Sequence, residues 1–400
     1  MHAAGIIVEY NPLHNGHIYH INKTRELTGC DVLIAVMSGS FVQRGEPAFI
    51  DKFSRCSMAL KSGVDLVLEL PLIYSISSAE GFAFGGVSLL NSTKITDSIC
   101  FGSESGSIEE LSFIADILYK EPEEYKQLLK SFIKTGISFP SAREKALKEY
   151  ALSIGHPIKN ELSTSNNILS VEYLKALMKT SSTIKPYTVK RIGSSYNTPL
   201  LEGGISSATA IRKNIADPQV KSSLPQHIYS TLLELSNQGK GPVTLGDLSD
   251  IIMFTLRSKS LSFLSELLDV GEGLEYRIKR AAQDCGDVYQ LIEQVKNKRY
   301  PATRIQRILL YALFSITKDA ASLVKTPPSY IRVLGFNRKG REAVSLIKSK
   351  ADIPVITNPS PEDEKLMKYD FLATDIYSLC FKNPSYKTAR GDLKTPPVII

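Results

Sequence analysis

Four short apolar segments, separated by helix-like stretches, fill the first hundred residues and constrain the fold more than any other feature of the sequence. They span residues 3–8, 32–37, 64–70 and 98–101. Strands that are apolar throughout, rather than alternating with polar residues, are typical of parallel sheets covered on both faces. The pattern predicts an α/β fold of the Rossmann-like type, whose ligands bind beyond the carboxyl ends of the strands.

The rest of the chain is predicted to be mostly helical. A helical block covers 107–179, with individual helices at 107–119, 122–134 and 141–152, and a strand at 184–192 and a helix at 206–215 follow it. Pro218 and Pro225 flank a predicted linker. Residues 226–320 are again helical in pattern, and short strands are predicted at 330–334 and 353–357. These observations predict a domain at 1–216 with a helical insertion, and a mainly helical domain at 217–400 with an irregular end.

Composition indicates the cellular location of the protein. Its 400 residues include five cysteines that are scattered singly, without a Cys-x-x-Cys pair, so a disulfide framework is not expected. No apolar run approaches the roughly 20 residues of a membrane helix, and the N-terminus lacks the basic start of a signal peptide. A cytoplasmic location without a membrane association is therefore expected, and nothing in the sequence predicts a protein partner.

The first sharp motif directly follows the first strand, where His14, Gly16 and His17 form a His-x-Gly-His sequence. A helix that begins there would offer free N–H groups and the positive end of its dipole to a phosphate. The two histidines can lie on one face of its first turn and donate to phosphate oxygens. The competing interpretations are packing histidines, or a zinc site completed by His20.

A second candidate motif is the sequence Ile-Ser-Ser-Ala-Thr-Ala-Ile-Arg at 205–212. The hydroxyls of Ser206 and Ser207 can bind a phosphate at a helix start, and Arg212 can grip it with two hydrogen bonds. Alone, the serine pair would be no more than a helix cap. Together with His-x-Gly-His it resembles the second phosphate motif of the nucleotidylyltransferase superfamily, whose members bind ATP and transfer AMP.

A closer resemblance extends in order through residues 5–340. The segments 5–16, 37–48, 101–104, 166–169, 190–193 and 298–305 are similar to the bacterial tRNA(Met) cytidine acetate ligase family. The resemblance implies that acetate is activated with ATP as acetyl-adenylate, with release of pyrophosphate. The acetyl group is then transferred to N4 of the wobble cytidine of elongator tRNA(Met). ATP is the implied cofactor, and Mg²⁺ is expected to accompany the nucleotide without a protein-only metal site.

Carried onto this chain, the resemblance implies that His14 and His17 are catalytic. It implies an ATP site made of Ile7, Val8, Glu9, Tyr10, Asn11, Pro12, Leu13, His14, Asn15, Gly16, His17, Ile18, Tyr19, His20, Gly102, Asn166, Arg191 and Ile192, to which the second motif adds Ser206, Ser207 and Arg212. Gly102, Asn166 and Arg191 could otherwise be a turn glycine, a capping residue and a surface charge. The loop 38–48 contains Arg44, which could close over the nucleotide, bind a carboxylate or form a structural ion pair.

The net charge of +7 is unevenly distributed along the chain. Residues 1–216 carry 22 basic and 21 acidic side chains, whereas residues 217–400 carry 26 and 20. Six basic residues of the second half are predicted to bind tRNA: Lys298, Arg299, Arg304, Arg307, Arg338 and Lys339. Such contacts would position an RNA without selecting its sequence, and Tyr300 is a candidate for stacking on an unpaired base. A merely solvated helix face is the alternative.

Three functions follow from these patterns. The first is the ATP-dependent acetate ligase that the resemblance implies. The second is an adenylyltransferase that joins AMP to a phosphorylated small molecule. The third is a tRNA-binding protein whose nucleotide domain is inactive, although the intact His14, His17 and Arg212 argue against it.

Overall fold

One large sheet organises the protein. The computed structural model describes residues 1–159, 164–191 and 204–400. The strands in chain order are β1 (Ala3–Val8), β2 (Val32–Ser38), β3 (Phe41–Val42), β4 (Glu46–Pro47), β5 (Leu66–Leu70), β6 (Thr96–Ser103), β7 (Lys185–Lys190), β8 (Ile331–Phe336), β9 (Val355–Ile356) and β10 (Val398–Ile399). All of them except the β3–β4 hairpin belong to the same sheet.

The strand order is β10-β8-β5-β2-β1-β6-β7, with β9 paired to β8. Strands β5, β2, β1, β6 and β7 are all parallel, whereas β8 runs antiparallel to β5. The chain proceeds outward from β1 through β2 and β5, and then crosses to β6 on the other side of β1. This reversal leaves a crevice at the carboxyl end of β1, which is where open α/β sheets bind their ligands.

Eighteen α-helices are described in these parts of the chain. They are α1 (Asn15–Thr28), α2 (Lys52–Lys61), α3 (Leu72–Ser75), α4 (Ala79–Ser92), α5 (Ile108–Lys120), α6 (Glu123–Lys134), α7 (Phe139–Ser153), α8 (Ser165–Lys179), α9 (Ala208–Lys213), α10 (Gln226–Asn237), α11 (Ser249–Ser258), α12 (Leu261–Glu266), α13 (Leu274–Asp284), α14 (Val288–Val295), α15 (Ala302–Phe314), α16 (Arg338–Lys350), α17 (Lys368–Ser378) and α18 (Gly391–Lys394). Within 1–159, 164–191 and 204–400, no helix combines the length and apolar character needed to span a membrane.

Both faces of the central strands are buried, which explains why β1 and β2 are almost entirely apolar. On β2, Ile34 and Val36 pack into one hydrophobic cluster, while Leu33 and Ala35 pack into another on the opposite face. All four side chains have no exposed surface. Alternate residues of a strand point to opposite faces, so a strand between two helical layers is apolar at nearly every position, and the few buried charges, such as Glu69 on β5, are paired.

The C-terminal residues return to the sheet through a buried group of charges. Lys52 Nζ lies 2.7 Å from Glu69 Oε1 on β5 and 2.8 Å from Asp392 Oδ1 on α18. These three side chains are 1–3% exposed, and the buried Arg332 lies 3.8 Å from Asp392, so two buried cations face two buried carboxylates. Removing one partner of such a group leaves an uncompensated buried charge, which typically costs about 3–5 kcal/mol.

The predicted fold class is confirmed, as are most of the predicted elements. The parallel sheet, the helices of the 107–179 block and the strands near 330 and 353 are present within a residue or a few of their predicted bounds. The return of β8, β9 and β10 to the first sheet was not predicted. The division into 1–216 and 217–400 stays a prediction, and the sheet draws strands from both sides of it.

Candidate active site

A cavity of about 200 Å³ opens at the carboxyl ends of β1, β6 and β7. Most residues of the predicted ATP site line it: Ile7, Val8, Glu9, Tyr10, Asn11, His14, Gly16, His17, Tyr19, His20, Gly102, Asn166, Arg191, Ser206, Ser207 and Arg212. The parallel register explains this convergence, because the carboxyl ends of adjacent parallel strands meet at one edge of the sheet. Two motifs that are about 190 residues apart in sequence thus share one cavity.

The turn from β1 to α1 has an unusual backbone that shapes the cavity floor. Tyr10 has φ 49°, in the left-handed region that non-glycine residues seldom adopt, and the Asn11–Pro12 bond is cis. Asn11 Oδ1 accepts a hydrogen bond of 2.6 Å from the Phe49 N–H. The fully buried Arg55 donates to the Glu9 carbonyl at 2.7 Å and to carbonyls at the end of β2. These contacts fix the path of the chain into α1.

His14 and His17 cap the first turn of α1 reciprocally. The Gly16 N–H donates to His14 Nδ1 at 3.1 Å, and the His14 N–H donates to His17 Nδ1 at 3.2 Å. Their rings stack with centroids 3.8 Å apart. Since both Nδ1 atoms accept hydrogen bonds, the neutral rings carry their protons on Nε2. This is the tautomer that can donate to a phosphate oxygen, and it is not the arrangement of a zinc site.

The electrostatic environment keeps these histidines neutral. Burial, followed by the charges of Arg191 and Arg212, lowers the pKa of His14 from 6.5 to about 3. Burial and the neighbouring His14 lower the pKa of His17 well below its usual value. Burial and Arg191 lower the pKa of His20 to about 4. At neutral pH the cavity therefore holds uncharged imidazole donors beside permanent arginine cations, which suits a polyphosphate.

The second motif is joined to the first by direct hydrogen bonds. Arg212 donates to the Asn11 carbonyl at 2.7 Å and lies 3.3 Å from Glu46 Oε1. Asn15 donates to the Gly204 carbonyl at 2.7 Å. Ser207 caps α9, because its hydroxyl accepts a hydrogen bond from the Ala210 N–H. The helix-cap role considered for the serine pair is therefore observed at Ser207. The two motifs form one structural unit around the cavity.

A third wall comes from β6, α8 and the end of β7. Asn166 Nδ2 donates to Glu104 Oε1 at 2.5 Å, and its Oδ1 accepts from Arg191 at 3.3 Å. The Arg191 N–H donates to the Ser103 carbonyl at 3.0 Å. A side-chain methyl group built on Gly102 would lie 3.6 Å from Arg191 Cγ, so the glycine leaves the adjoining space open. Ile192 lies outside the described residues.

Comparison with known proteins places this site in a family. The chain matches the HIGH Nucleotidyl Transferase family over residues 1–392. It is 46% identical over 419 residues to the tRNA(Met) cytidine acetate ligase of Halothermothrix orenii, covering 100% of this chain and 99% of that protein. It is 48% identical over 391 residues to the ligase of the same name from Caldanaerobacter subterraneus, covering 96% of each chain. This chain belongs to the tRNA(Met) cytidine acetate ligase family.

Solved structures give the same result. The apo form I structure of Thermotoga maritima TmcAL superimposes with a TM-score of 0.95 at 39% identity, with 100% of both chains covered. A second TmcAL structure from that organism, bound with alpha-thio ATP, has a TM-score of 0.93 at the same identity and coverage. The resemblance inferred from the motifs is therefore confirmed across the whole length of the chain.

Some residues implied by the family resemblance support the cavity without lining it. Leu13 is fully buried and Ile18 packs against the same hydrophobic cluster. Pro12 supplies the cis bond of the turn, and Asn15 connects the two motifs. Their sequence neighbours in the motif line the cavity, whereas these four residues do not. We retain their assignment to the ATP site as a prediction.

Sequence reasoning missed several residues of the cavity. The β3–β4 hairpin contributes Gln43, Arg44 and Glu46, of which only Arg44 was considered individually, with its role left open. An apolar side is formed by Phe82, Phe101, Leu169, Tyr173 and Val189, and Lys190, Ile205, Ala208 and Thr209 complete the lining. The position of Phe101 and Val189 near strand ends was a usable signal. Nothing local marks Phe82 or Tyr173, because they come from helices that approach only in the tertiary structure.

The basic residues near α15 are partly engaged within the protein. Arg304 donates to the Asp269 carbonyl at 3.0 Å, and its guanidinium lies 4.8 Å from the centre of the Tyr300 ring. Arg299 forms an ion pair with Glu272, and Lys298 is exposed. Tyr300 is 6% exposed, so the expectation that this ring stacks on an unpaired base is wrong in the described conformation.

The second basic patch, Arg338 and Lys339, lies at the amino ends of the parallel strands, whereas the cavity lies at their carboxyl ends. Arg338 and Lys339 begin α16, and Lys339 Nζ lies 3.3 Å from the carbonyl of Asp31, just before β2. The cavity is at the other end of that strand. Seven residues of extended chain separate the two edges by roughly 20 Å. The second basic patch and the cavity therefore lie at opposite ends of the parallel strands.

Proposed function

We propose that this protein is an ATP-dependent ligase that activates acetate as acetyl-adenylate, releases pyrophosphate and acetylates N4 of the wobble cytidine of elongator tRNA(Met). The observation that carries the proposal is the union of the two phosphate motifs around one cavity, through the contacts of Arg212 and Asn15. The printed names of full-length relatives, and the alpha-thio ATP bound by TmcAL, support it. The cytoplasm, where tRNA and ATP meet, is the proposed location.

The first half-reaction joins acetate to the α-phosphate of ATP. An acetate oxygen attacks the phosphorus, the bond to the bridging oxygen breaks, and pyrophosphate leaves with that electron pair. Charge develops on the phosphate oxygens in the transition state, where His14 and His17 donate from Nε2 and Arg191 and Arg212 supply positive charge. A preorganised donor of this kind contributes on the order of 100- to 1,000-fold to a rate.

Magnesium would enter the cavity with the triphosphate and neutralise part of its charge. Mg²⁺ sites on nucleotides usually combine phosphate oxygens and water with one or two carboxylates. Glu9 lines the cavity, and burial raises the pKa of its carboxyl group, so a bound cation would favour the ionised form. Glu9 would hold the ion together with the phosphates.

The tRNA would approach the side of the cavity formed by the β3–β4 hairpin and α15. A methyl group built on Gly45, at the tip of the hairpin, would lie 2.4 Å from the backbone nitrogen of Arg307. The β3–β4 hairpin, which lines the nucleotide cavity, therefore packs directly against α15 and its basic residues. Lys298, Arg299, Arg304 and Arg307 are proposed to contact phosphates there, with residues 217–400 as the tRNA-binding part. Arg338 and Lys339 are proposed as a separate, more distant contact.

The decisive experiment measures the two half-reactions separately. Acetate-dependent exchange of labelled pyrophosphate into ATP reports adenylate formation, and transfer of labelled acetate to tRNA reports the complete reaction. The proposal expects both. Exchange that ignores acetate and requires a phosphorylated small molecule would instead identify an adenylyltransferase, and tRNA binding without any ATP consumption would identify an inactive nucleotide domain.

A further inference from the structure

A second cavity lies beside the nucleotide cavity and shares part of its wall. It has a volume of about 460 Å³, and Arg44, Glu46, Thr209 and Arg212 line both cavities. The two cavities are therefore adjacent, and a molecule in the second cavity would lie beside the nucleotide. When an acetyl group passes from AMP to a base, the amino nitrogen of the base must come into contact with the acetyl carbon of the adenylate.

Tyr289 gives the second cavity an aromatic surface. Its ring is 51% exposed although it lines the cavity, and its hydroxyl accepts a hydrogen bond of 3.1 Å from the Gly246 N–H. The hydrogen bond fixes the ring, because it joins α14 to the segment that precedes α11. A fixed aromatic ring with an open face is the usual platform for an unpaired nucleobase.

Glu46 gives the same cavity an acceptor for an amino group. Its carboxylate pairs with Arg212 at 3.3 Å and remains 24% exposed. A carboxylate is the usual protein partner for the exocyclic amino group of cytosine. The hairpin that carries Glu46 is held at its tip, where Gly45 has φ +81° and contacts the backbone of α15. Thr303 and Gln306, on the first turns of α15, form the opposite wall.

We propose that this second cavity, the acceptor cavity, binds the target cytosine, with its ring stacked on Tyr289 and its amino group on Glu46. The assignment rests on the proposed function. N4 attacks the acetyl carbonyl carbon, the new C–N bond forms, and the bond from that carbon to the phosphate oxygen breaks. AMP leaves with the oxygen and the electron pair. The proton that N4 loses passes to the Glu46 carboxylate and then to water.

Replacing the aromatic ring tests the assignment. Tyr289→Ala should lower kcat/KM for acetyl transfer to tRNA by roughly 5- to 100-fold, the usual effect of removing one stacking contact. Acetate-dependent pyrophosphate exchange should stay at the level of the unaltered protein. The matched control is Tyr119→Ala, because Tyr119 is a 48% exposed tyrosine on α5, outside residues 217–400, that lines neither cavity. It should leave both half-reactions unchanged.

Conservative substitutions separate stacking from folding. Tyr289→Phe keeps the ring but loses the hydrogen bond from Gly246, so it should retain a large part of acetyl transfer. Tyr289→Leu keeps only apolar volume and should lose acetyl transfer as the alanine variant does. Glu46→Gln should reduce acetyl transfer more than pyrophosphate exchange. If Tyr289→Leu transfers acetate as well as Tyr289→Phe, the stacking assignment is overturned while the ligase proposal stands. If the unaltered protein shows no acetate-dependent exchange, the proposed function itself fails.

Discussion

Lowering the pH should destabilise the protein through His14, because the folded state holds this side chain neutral. Its pKa is about 3 in the protein, against an ordinary value of 6.5. Between these two pKa values the imidazole is protonated in the unfolded chain but neutral in the folded one. The free energy of unfolding therefore decreases as the pH falls below the unfolded pKa. Between pH 7.5 and pH 5, these two pKa values correspond to about 2 kcal/mol of unfolding free energy from His14 alone.

A His14→Asn variant isolates this contribution. Asparagine is among the best N-cap residues, so the variant keeps an acceptor for the first turn of α1 but cannot titrate. The raised pKa values of Glu9 and Glu69 act in the opposite sense: they favour the folded state at low pH, and that stability is lost as the pH rises through the folded pKa. Both proteins contain those carboxyl groups, so the comparison removes them.

Urea denaturation of both proteins at pH 7.5 and pH 5 provides the measurement. The unaltered protein should lose about 2 kcal/mol more than the variant over this interval, with equal m-values. The variant should also lose pyrophosphate exchange at pH 7.5 while remaining folded, because it lacks the Nε2 donor. Equal losses of stability in the two proteins would refute the claim that His14 is buried as a neutral imidazole.

Three further changes probe other parts of the site. Gly16→Ala would place a methyl group 2.9 Å from His14 Cε1 and displace the ring, so pyrophosphate exchange should fall about 10- to 100-fold with little change in thermal unfolding. Arg55→Lys should lower the free energy of unfolding in urea by about 3 kcal/mol or more, because an ammonium cannot reproduce the hydrogen bonds to four separate carbonyls. Replacing Arg304 and Arg307 together by alanine should weaken tRNA binding and reduce its salt slope by roughly 1.5, measured as log Kd against log salt, with ATP binding as the control. An unchanged salt slope would show that these arginines do not contact tRNA phosphates and have only a structural role.

Local sequence patterns predicted the helices and strands well, because the bounds of each element depend mainly on residues that are close in sequence. A helix was predicted to begin at the His-x-Gly-His motif, and α1 begins there, at Asn15, and ends at Gly29, whose φ is 61°. The position of His14 and His17 at a strand-to-helix junction follows equally from neighbouring residues. The expectation that Tyr300 stacks on RNA failed because its burial depends on Arg304 and on the loop around residue 271.

The sequence alone determined the α/β class, most of the strands and helices, the two phosphate motifs and the basic second half. Each of these depends on periodicity, caps or spacing over a few residues, or on charge that can be counted. Only the tertiary structure decided that β8 to β10 complete the first sheet, that Arg212 joins Asn11 to Glu46, and that a second cavity adjoins the nucleotide cavity. These features pair residues that are tens to hundreds of positions apart, and no local pattern records which distant segment will supply the partner.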